Sequence, residues 1–321
     1  MPDSVSTCSA PLLSKHLDFL DEGDLWAVIL ASAGGDSGAP DPISGYVTPL
    51  GARSMFRQAL ERIAPLVTPQ RTVVVTLEGQ SRGLAADLRA MPGFQLLPQP
   101  VDRGTAASVL LAAHWIGARD PRATVVVFPV DHPLLEDAVL MWHGASVAKY
   151  ARAHPDQLVL MGAPATEPDA GYGWIEPGER VGSTGRAPVH RIRGFWEKPS
   201  DELAHRLFTQ GCLWNTFVFA TSVAVLIQAG RQCLPLLHDR LVRLGLFLGT
   251  QYESWALRQA YLFAPRADFS RSILESCLPS LAVAQVPPLI WCDLGHPERV
   301  PRGFLRPRSP LCWPDTLRPS A

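Results

Sequence analysis

Four short apolar runs constrain the fold more than anything else in the first half of the chain: "WAVILA" (26–31), "RTVVVTL" (71–77), "ATVVVFPV" (123–130) and "QLVLMGAP" (157–164). Each is rich in β-branched residues and continuous rather than alternating, which is the mark of a strand covered on both faces. Between them, "SMFRQALERIAPL" (54–66), "TAASVLLAAHWIGA" (105–118) and "DAVLMWHGASVAKYARA" (137–153) carry apolar residues at helical spacing. Strands and helices that alternate in this way give an α/β fold, with helices on both sides of a mostly parallel sheet. Ligands are then expected in the crevice outside the carboxyl ends of the strands.

After about residue 165 the texture changes. "GYGWIEPG" and "VHRIRGFWEKPS" read as a hairpin and edge strands, and "SDELAHRLFTQG" as a helix capped by Ser200. "LWNTFVFATSVAVLIQAG" reads as a strand followed by a helix, 231–276 as mostly helical, and "LAVAQVPPLIWCDLG" as a late strand. No sharp boundary separates the halves. The second half is expected to build a lobe onto the same sheet.

Composition narrows the function. The chain has 321 residues, 47% hydrophobic and 18% charged, enough for a large core. Its 29 basic and 30 acidic residues leave a net charge of −1, so no overall field draws it to nucleic acid or to an anionic membrane. Any anionic ligand must be held locally. Six cysteines, at 8, 212, 233, 277, 292 and 312, have neither the CxxC spacing of a zinc site nor the density of a secreted disulfide scaffold, and read as reduced thiols of a cytoplasmic protein. Asp18, Asp21, Glu22 and Asp24 near the start argue against a signal peptide, and no apolar run is long enough to span a bilayer.

Five features could carry chemistry. The first strand runs into a turn with Gly34, Gly35 and Gly38, which can aim backbone N–H groups at a phosphate, although an ordinary strand-to-loop turn carries glycines too. Gln99, Arg103, Gly104 and Thr105 stand at the start of helix 105–118, where N–H groups and the macrodipole favour an anion or a polar base edge; alternatively Thr105 simply caps the helix. "VVVFPVDHPL" ends a buried strand on Asp131, and a lone carboxylate there suits Mg²⁺, which keeps waters and substrate phosphates as its other ligands. "GFWEKPS" offers Glu197 for sugar hydroxyls and Lys198 for a phosphate, with Asn215 of "LWNTFVF" able to donate and accept. Asp293, in "WCDLGHPERV", follows a strand and precedes a glycine turn.

In order and spacing these motifs resemble the sugar-phosphate nucleotidyltransferases, and most closely the bacterial mannose-1-phosphate guanylyltransferase group. The matching stretches are "WAVILASAGG", "QPVDRGTA", "FPVDH", "GYGWIEPG", "FWEKP", "LWNTFVFA", "DFSRSILE" and "WCDLGHPERV", which together span roughly residues 25 to 300. The resemblance implies a Rossmann-like mixed, mostly parallel sheet of the nucleotide-diphospho-sugar transferase type. An N-terminal extension (1–24) would precede a nucleotide-binding half (25–165) and a sugar-phosphate-binding half (166–300), with a proline-rich tail at 301–321. It also implies a reaction in which the phosphate of a sugar 1-phosphate, mannose 1-phosphate here, attacks the α-phosphorus of a nucleoside triphosphate, here GTP. Carried over residue by residue, Gly34 and Gly35 would lie against the nucleotide, and Gln99, Arg103, Gly104 and Thr105 would stand at the base and ribose. Asp131 and Asp293 would hold Mg²⁺, and Gly173, Glu197, Lys198 and Asn215 would bind the sugar phosphate. Catalysis would rest on Asp131, Lys198 and Asp293. The expected partners are those two substrates, with no nucleic acid and no membrane, and a homo-oligomer is allowed.

The departure is in the glycine loop. Family members carry GGxGTRL there and PKQ further on, their arginine and lysine gripping the triphosphate. Here the loop reads "GGDSGAPDPISGYVTPLG", with Leu50 at the apparent lysine position. Arg53 and Arg103 are the nearby cations that could stand in. A rival expectation follows, that of a catalytically impaired relative binding a nucleotide-sugar or a partner as a sensor or scaffold. A dinucleotide-binding oxidoreductase is set aside because the loop does not give GxGxxG and helix 54–66 begins too far beyond it.

Overall fold

The computed structural model describes residues 24–31, 49–50, 53–130 and 137–287. The expected site residues Gly34, Gly35, Asp131 and Asp293 lie outside the described residues, as do most of the signature loop and the proline-rich tail.

Along the chain run β1 (Leu25–Leu30), the short β2 (Pro49–Leu50) and β3 (Arg53–Ser54), α1 (Met55–Ile63), β4 (Thr72–Leu77), α2 (Ser81–Ala90), β5 (Gln95–Gln99), α3 (Thr105–Gly117), β6 (Thr124–Pro129), α4 (Asp137–Ala153) and β7 (Leu158–Pro164). The second half adds β8 (Gly173–Ser183), β9 (Pro188–Glu197), α5 (Asp201–Thr209), β10 (Leu213–Ser222), α6 (Val223–Cys233), α7 (Pro235–Gly245), α8 (Glu253–Leu262), a helical stretch at Ser270–Leu274 and β11 (Leu281–Gln285).

Among the described residues nine strands form one sheet in the order β5-β4-β1-β6-β10-β7-β11-β9-β8. β1 is parallel to β4 and β6, β4 to β5, and β7 to β11. β10 runs antiparallel to β6, β7 and β8, and β9 antiparallel to β8 and β11. The sheet is therefore mixed: the first-half strands β5, β4, β1 and β6 are mutually parallel as their continuous runs require, and β7 with β11 forms a second parallel pair.

β1 shows why those runs are continuous. Trp26, Val28 and Leu30 enter one core, and Leu25, Ala27 and Ile29 enter the other, because successive side chains alternate across the sheet and both faces are covered. α3, α6, α7 and α8 close the first face through Leu110, Leu226, Leu237 and Tyr261; α1 and α4 close the second through Phe56, Leu60, Leu140 and Val147. Each such buried side chain contributes about 1.5–3 kcal/mol relative to exposure. Serines set the starts of three helices: Ser54, Ser200 and Ser222 accept from the backbone N–H groups of Arg57, Leu203 and Val225 at 3.0, 3.3 and 3.2 Å.

Two elements are not evident from periodicity. β5, "QLLPQ", holds a proline, which the edge position of the strand tolerates because an edge leaves one row of N–H groups unpaired. β10 comes late in sequence yet lies between β6 and β7, so strands of both halves share one sheet.

Candidate active site

The register places the expected residues along one edge. Leu30 opposes Pro129 and Val75, Leu77 opposes Gln99, and Asn215 opposes Gly162 near the carboxyl end of β7. Gly173 opposes Glu197, and both lie beside Asn215.

On the side expected to hold the sugar, three residues converge. A Cβ placed on Gly173 would stand 2.7 Å from Glu197 Oε2, 3.2 Å from Asn215 Cβ and 3.4 Å from Asn215 Nδ2, so a side chain at 173 would push the Glu197 carboxylate away from the Asn215 amide. Asn215 is set by an irregularity in β10. Its pairing with β7 slips between Asn215 and Phe219, Phe217 takes φ 57°, and the Phe217 N–H donates to Asn215 Oδ1 at 3.0 Å. The side-chain oxygen is thereby engaged, which leaves Nδ2 as the end able to donate toward a ligand. Thr216 fixes the same irregularity by donating to the Met161 carbonyl at 2.8 Å.

Glu197 ends β9, and Lys198 leaves it with φ 50°, its N–H on the Tyr172 carbonyl at 3.3 Å. A non-glycine residue in that region costs about 1 kcal/mol or more, a strain seen where a side chain must be aimed. Burial, with the Asp268 carboxylate beside it, pushes Glu197 up to about 7, against the pull of Lys198, the Ser270 hydroxyl and Arg271. Near neutral pH its carboxyl can therefore donate or accept.

The side expected to hold the nucleotide is built differently. Gln99 is buried; its Nε2 donates to Ser108 at 3.0 Å and its Oε1 accepts from the Tyr261 hydroxyl at 2.8 Å. Arg103 Nε and Nη2 donate to the carbonyls of Tyr261 and Leu262, at the C-terminal end of α8, each at 3.1 Å. Thr105 does not cap α3; Gly104, at φ 82°, occupies that position, and the Thr105 hydroxyl donates to Asp268 Oδ2 at 3.0 Å and accepts from the Phe269 N–H at 2.8 Å. The backbone alongside is paired too, Ala267 N–H to the Arg103 carbonyl and Ala106 N–H to the Ala267 carbonyl.

The segment 267–275 thus touches both sides. Asp268 reaches Thr105, and Glu275 Oε1 accepts from the Glu197 N–H at 2.8 Å. Asp268, Ser270, Arg271 and Glu275 all fall in "DFSRSILE", a stretch whose sequence matches the family without revealing a role for its residues. Both expected metal carboxylates lie outside the described residues, and among the described residues no group of three or more potential ligands gathers. Val130, the last described residue before Asp131, donates its N–H to the Leu30 carbonyl at the carboxyl end of β1.

A carboxyl edge that carries a buried carboxyl beside a side-chain amide, with a helix N-terminus also along it, lies where α/β proteins bind their ligands. Residues 45–300 match the Nucleotidyl transferase family, and the chain belongs to it. The match begins after Gly34, Gly35 and Gly38. The chain is 31% identical over 269 residues to a mannose-1-phosphate guanylyltransferase of Sinorhizobium fredii, across 78% of this chain and 48% of that one. It is 28% identical over 180 residues to the alginate biosynthesis protein AlgA of Pseudomonas aeruginosa, across 53% and 35%. It thus spans about half, or less, of the curated relatives it matches. A crystal structure from Thermus thermophilus, described as a mannose-1-phosphate geranyltransferase, superposes with a TM-score of 0.73 at 27% identity, over 88% of this chain and 80% of that one. No helix among the described residues is long and apolar enough to cross a membrane.

Proposed function

We propose that the protein transfers a nucleotidyl group from a nucleoside triphosphate, GTP, to a sugar 1-phosphate, mannose 1-phosphate, releasing pyrophosphate. The observation that carries this reading is the meeting of Gly173, Glu197 and Asn215 at the carboxyl edge, with Lys198 next in the chain. Asn215 Nδ2 and the Glu197 carboxyl would hold sugar hydroxyls, and Lys198 would neutralise the attacking phosphate. Gly34 and Gly35 would lie against the triphosphate, and the start of α3 would face base and ribose. Asp131 and Asp293 would hold Mg²⁺, which supplies neutralisation of the triphosphate charge. Such a transfer requires in-line placement and charge stabilisation rather than covalent help from the protein.

The test is pyrophosphate release from GTP and mannose 1-phosphate with Mg²⁺. Turnover that Asp131→Asn abolishes supports the reading; no turnover across the common nucleoside triphosphates and sugar 1-phosphates overturns it. A second reading has its own support, since residues 32–50 contain no lysine or arginine. Losing one charge-stabilising contact costs roughly a hundred- to a thousand-fold in rate, so losing two favours a binding protein for a nucleotide-sugar. That reading requires a thermal shift with millimolar GDP-mannose, and fails without one.

A further inference from the structure

Just past the segment that supports Glu197, two thiols meet. Cys233, the last residue of α6, and Cys277, which follows the helical stretch Ser270–Leu274, bring their Sγ atoms to 3.2 Å although 44 positions apart in sequence. Both are half-buried, whereas Cys212 is buried, and all three are free. The contact is held from both sides. Cys233 and Cys277 pack against the same core that contains Leu226, Ile273 and Leu274, and the Cys277 N–H donates to the Ile273 carbonyl at 2.9 Å. Burial and the hydrogen bond with Cys233 push the Cys277 thiol up to about 12, so Cys277 keeps its proton; either sulfur can donate in the contact between them. A disulfide bond is about 2.05 Å long, and closing it from this contact asks the sulfurs to approach by only about 1 Å.

We propose that Cys233 and Cys277 form a peroxide-sensitive dithiol that closes to an intramolecular disulfide within the folded protein. The Cys233 thiolate attacks one oxygen of a hydroperoxide and the O–O bond breaks; for hydrogen peroxide this leaves a sulfenic acid on Cys233 and releases hydroxide. Hydroxide takes the Cys277 proton to give water. The Cys277 sulfur then attacks the Cys233 sulfur, the S–O bond breaks, and the departing hydroxide takes up the proton that Cys233 gave up when it ionised. In sum, two thiols and one hydrogen peroxide give one disulfide and two waters. Small-molecule dithiols reverse the change by exchange. The disulfide would tie α6 to the end of the segment that bears Asp268, Ser270 and Glu275, and so would stiffen the support of Glu197 without passing through the substrate crevice.

Peptide mapping of the full chain under non-reducing conditions, before and after stoichiometric hydrogen peroxide, tests this independently of any enzymatic activity. The expected product is a Cys233–Cys277 linked peptide pair lighter by two hydrogen atoms, absent from Cys233→Ser and from Cys277→Ser. Thermal unfolding of the oxidised wild-type chain should shift upward by roughly 5 °C and return with dithiothreitol. Slower amide exchange at Ile273–Glu275 should accompany it. Both cysteines remaining alkylatable after peroxide, or Cys233 passing to sulfinic acid without a cross-link, would overturn the proposal. So would a cross-linked product that unfolds at a lower temperature than the reduced protein, because the thiols would then be meeting only in a disturbed fold.

Discussion

The two ends of the candidate crevice are held by different physics. At the sugar end, Glu197 is an ionisable group kept from water beside a second carboxylate, and its neighbours Lys198 and Phe217 take left-handed backbone angles. At the nucleotide end, Gln99, Arg103 and Thr105 bond to other parts of the protein, and the α3 start is stitched to 267–269 through backbone pairs. A desolvated ionisable group of this kind costs stability and makes its end of the edge sensitive to pH. The nucleotide end depends on shape, and is expected to tolerate pH while failing when the backbone is displaced.

The sharpest way to break this contrast is at Gly104. A methyl group there collides with the Ala267 carbonyl at a φ of 82°, so Gly104→Ala should cost about 3–4 kcal/mol in urea unfolding, equally at pH 6 and pH 8. A loss below about 1 kcal/mol would show that the nucleotide end is not held by shape.

Glu197→Gln tests the other end with the opposite sign. The folded value of Glu197, about 7, lies above its ordinary 4.5, so the stability it contributes is complete below 4.5 and is lost as pH rises through 7. The amide cannot ionise. The variant should therefore be more stable than wild type by up to about 3 kcal/mol at pH 8 and equal to it at pH 4, with sugar-phosphate affinity reduced. Parallel stability profiles would remove the claim of a desolvated carboxyl.

His114, on α3 and away from the crevice, acts in the reverse sense. Burial, with His238 beside it at 5.1 Å between ring centres, lowers it from 6.5 to about 4. Its contribution is complete above 6.5 and is lost as pH falls toward 4, amounting to about 2 kcal/mol at pH 5. Subtracting a His114→Leu profile from that of wild type should isolate this loss; a flat difference would reassign it. The smallest effect belongs to the exposed pair Arg258–Glu78, 2.7 Å apart, which joins α8 to the turn after β4. Arg258→Ala should change stability by less than about 1 kcal/mol, and still less in high salt, as thermal unfolding at two ionic strengths would report.

Most of the sheet was legible because burial on both faces writes itself as uninterrupted Val, Ile and Leu, as in "TVVVTL" and "TVVVFP". β5 was not, since Pro98, Gln99 and Pro100 read as a turn, and α2 lacked a clear start, having no side-chain cap on Gln80. The position of β10 is a pairing between distant segments, and no local pattern carries it. At the site, motif order singled out Gly173, Glu197 and Asn215, and the fold brings them together. What raises Glu197 escaped that reading, because burial is set by the fold and Asp268 reaches it from a different part of the chain. The glutamine at 99 offers a further lesson: its amide is engaged by Ser108 and Tyr261 in a buried network, which sequence cannot distinguish from an amide aimed at a ligand.

The central place of β10 also sets a schedule for the ribosome. β6 leaves the exit tunnel with one side paired to β1, but its other partner is encoded about 90 residues later. At ordinary translation rates that side would stay open for roughly 5–20 s, a row of unsatisfied N–H and C=O groups flanked by Val125, Val126 and Val127. The strand that joins the two halves of the crevice is thus also the one whose late arrival leaves the nascent chain most open to sticking, so the yield of folded protein should depend on what shelters β6 until then.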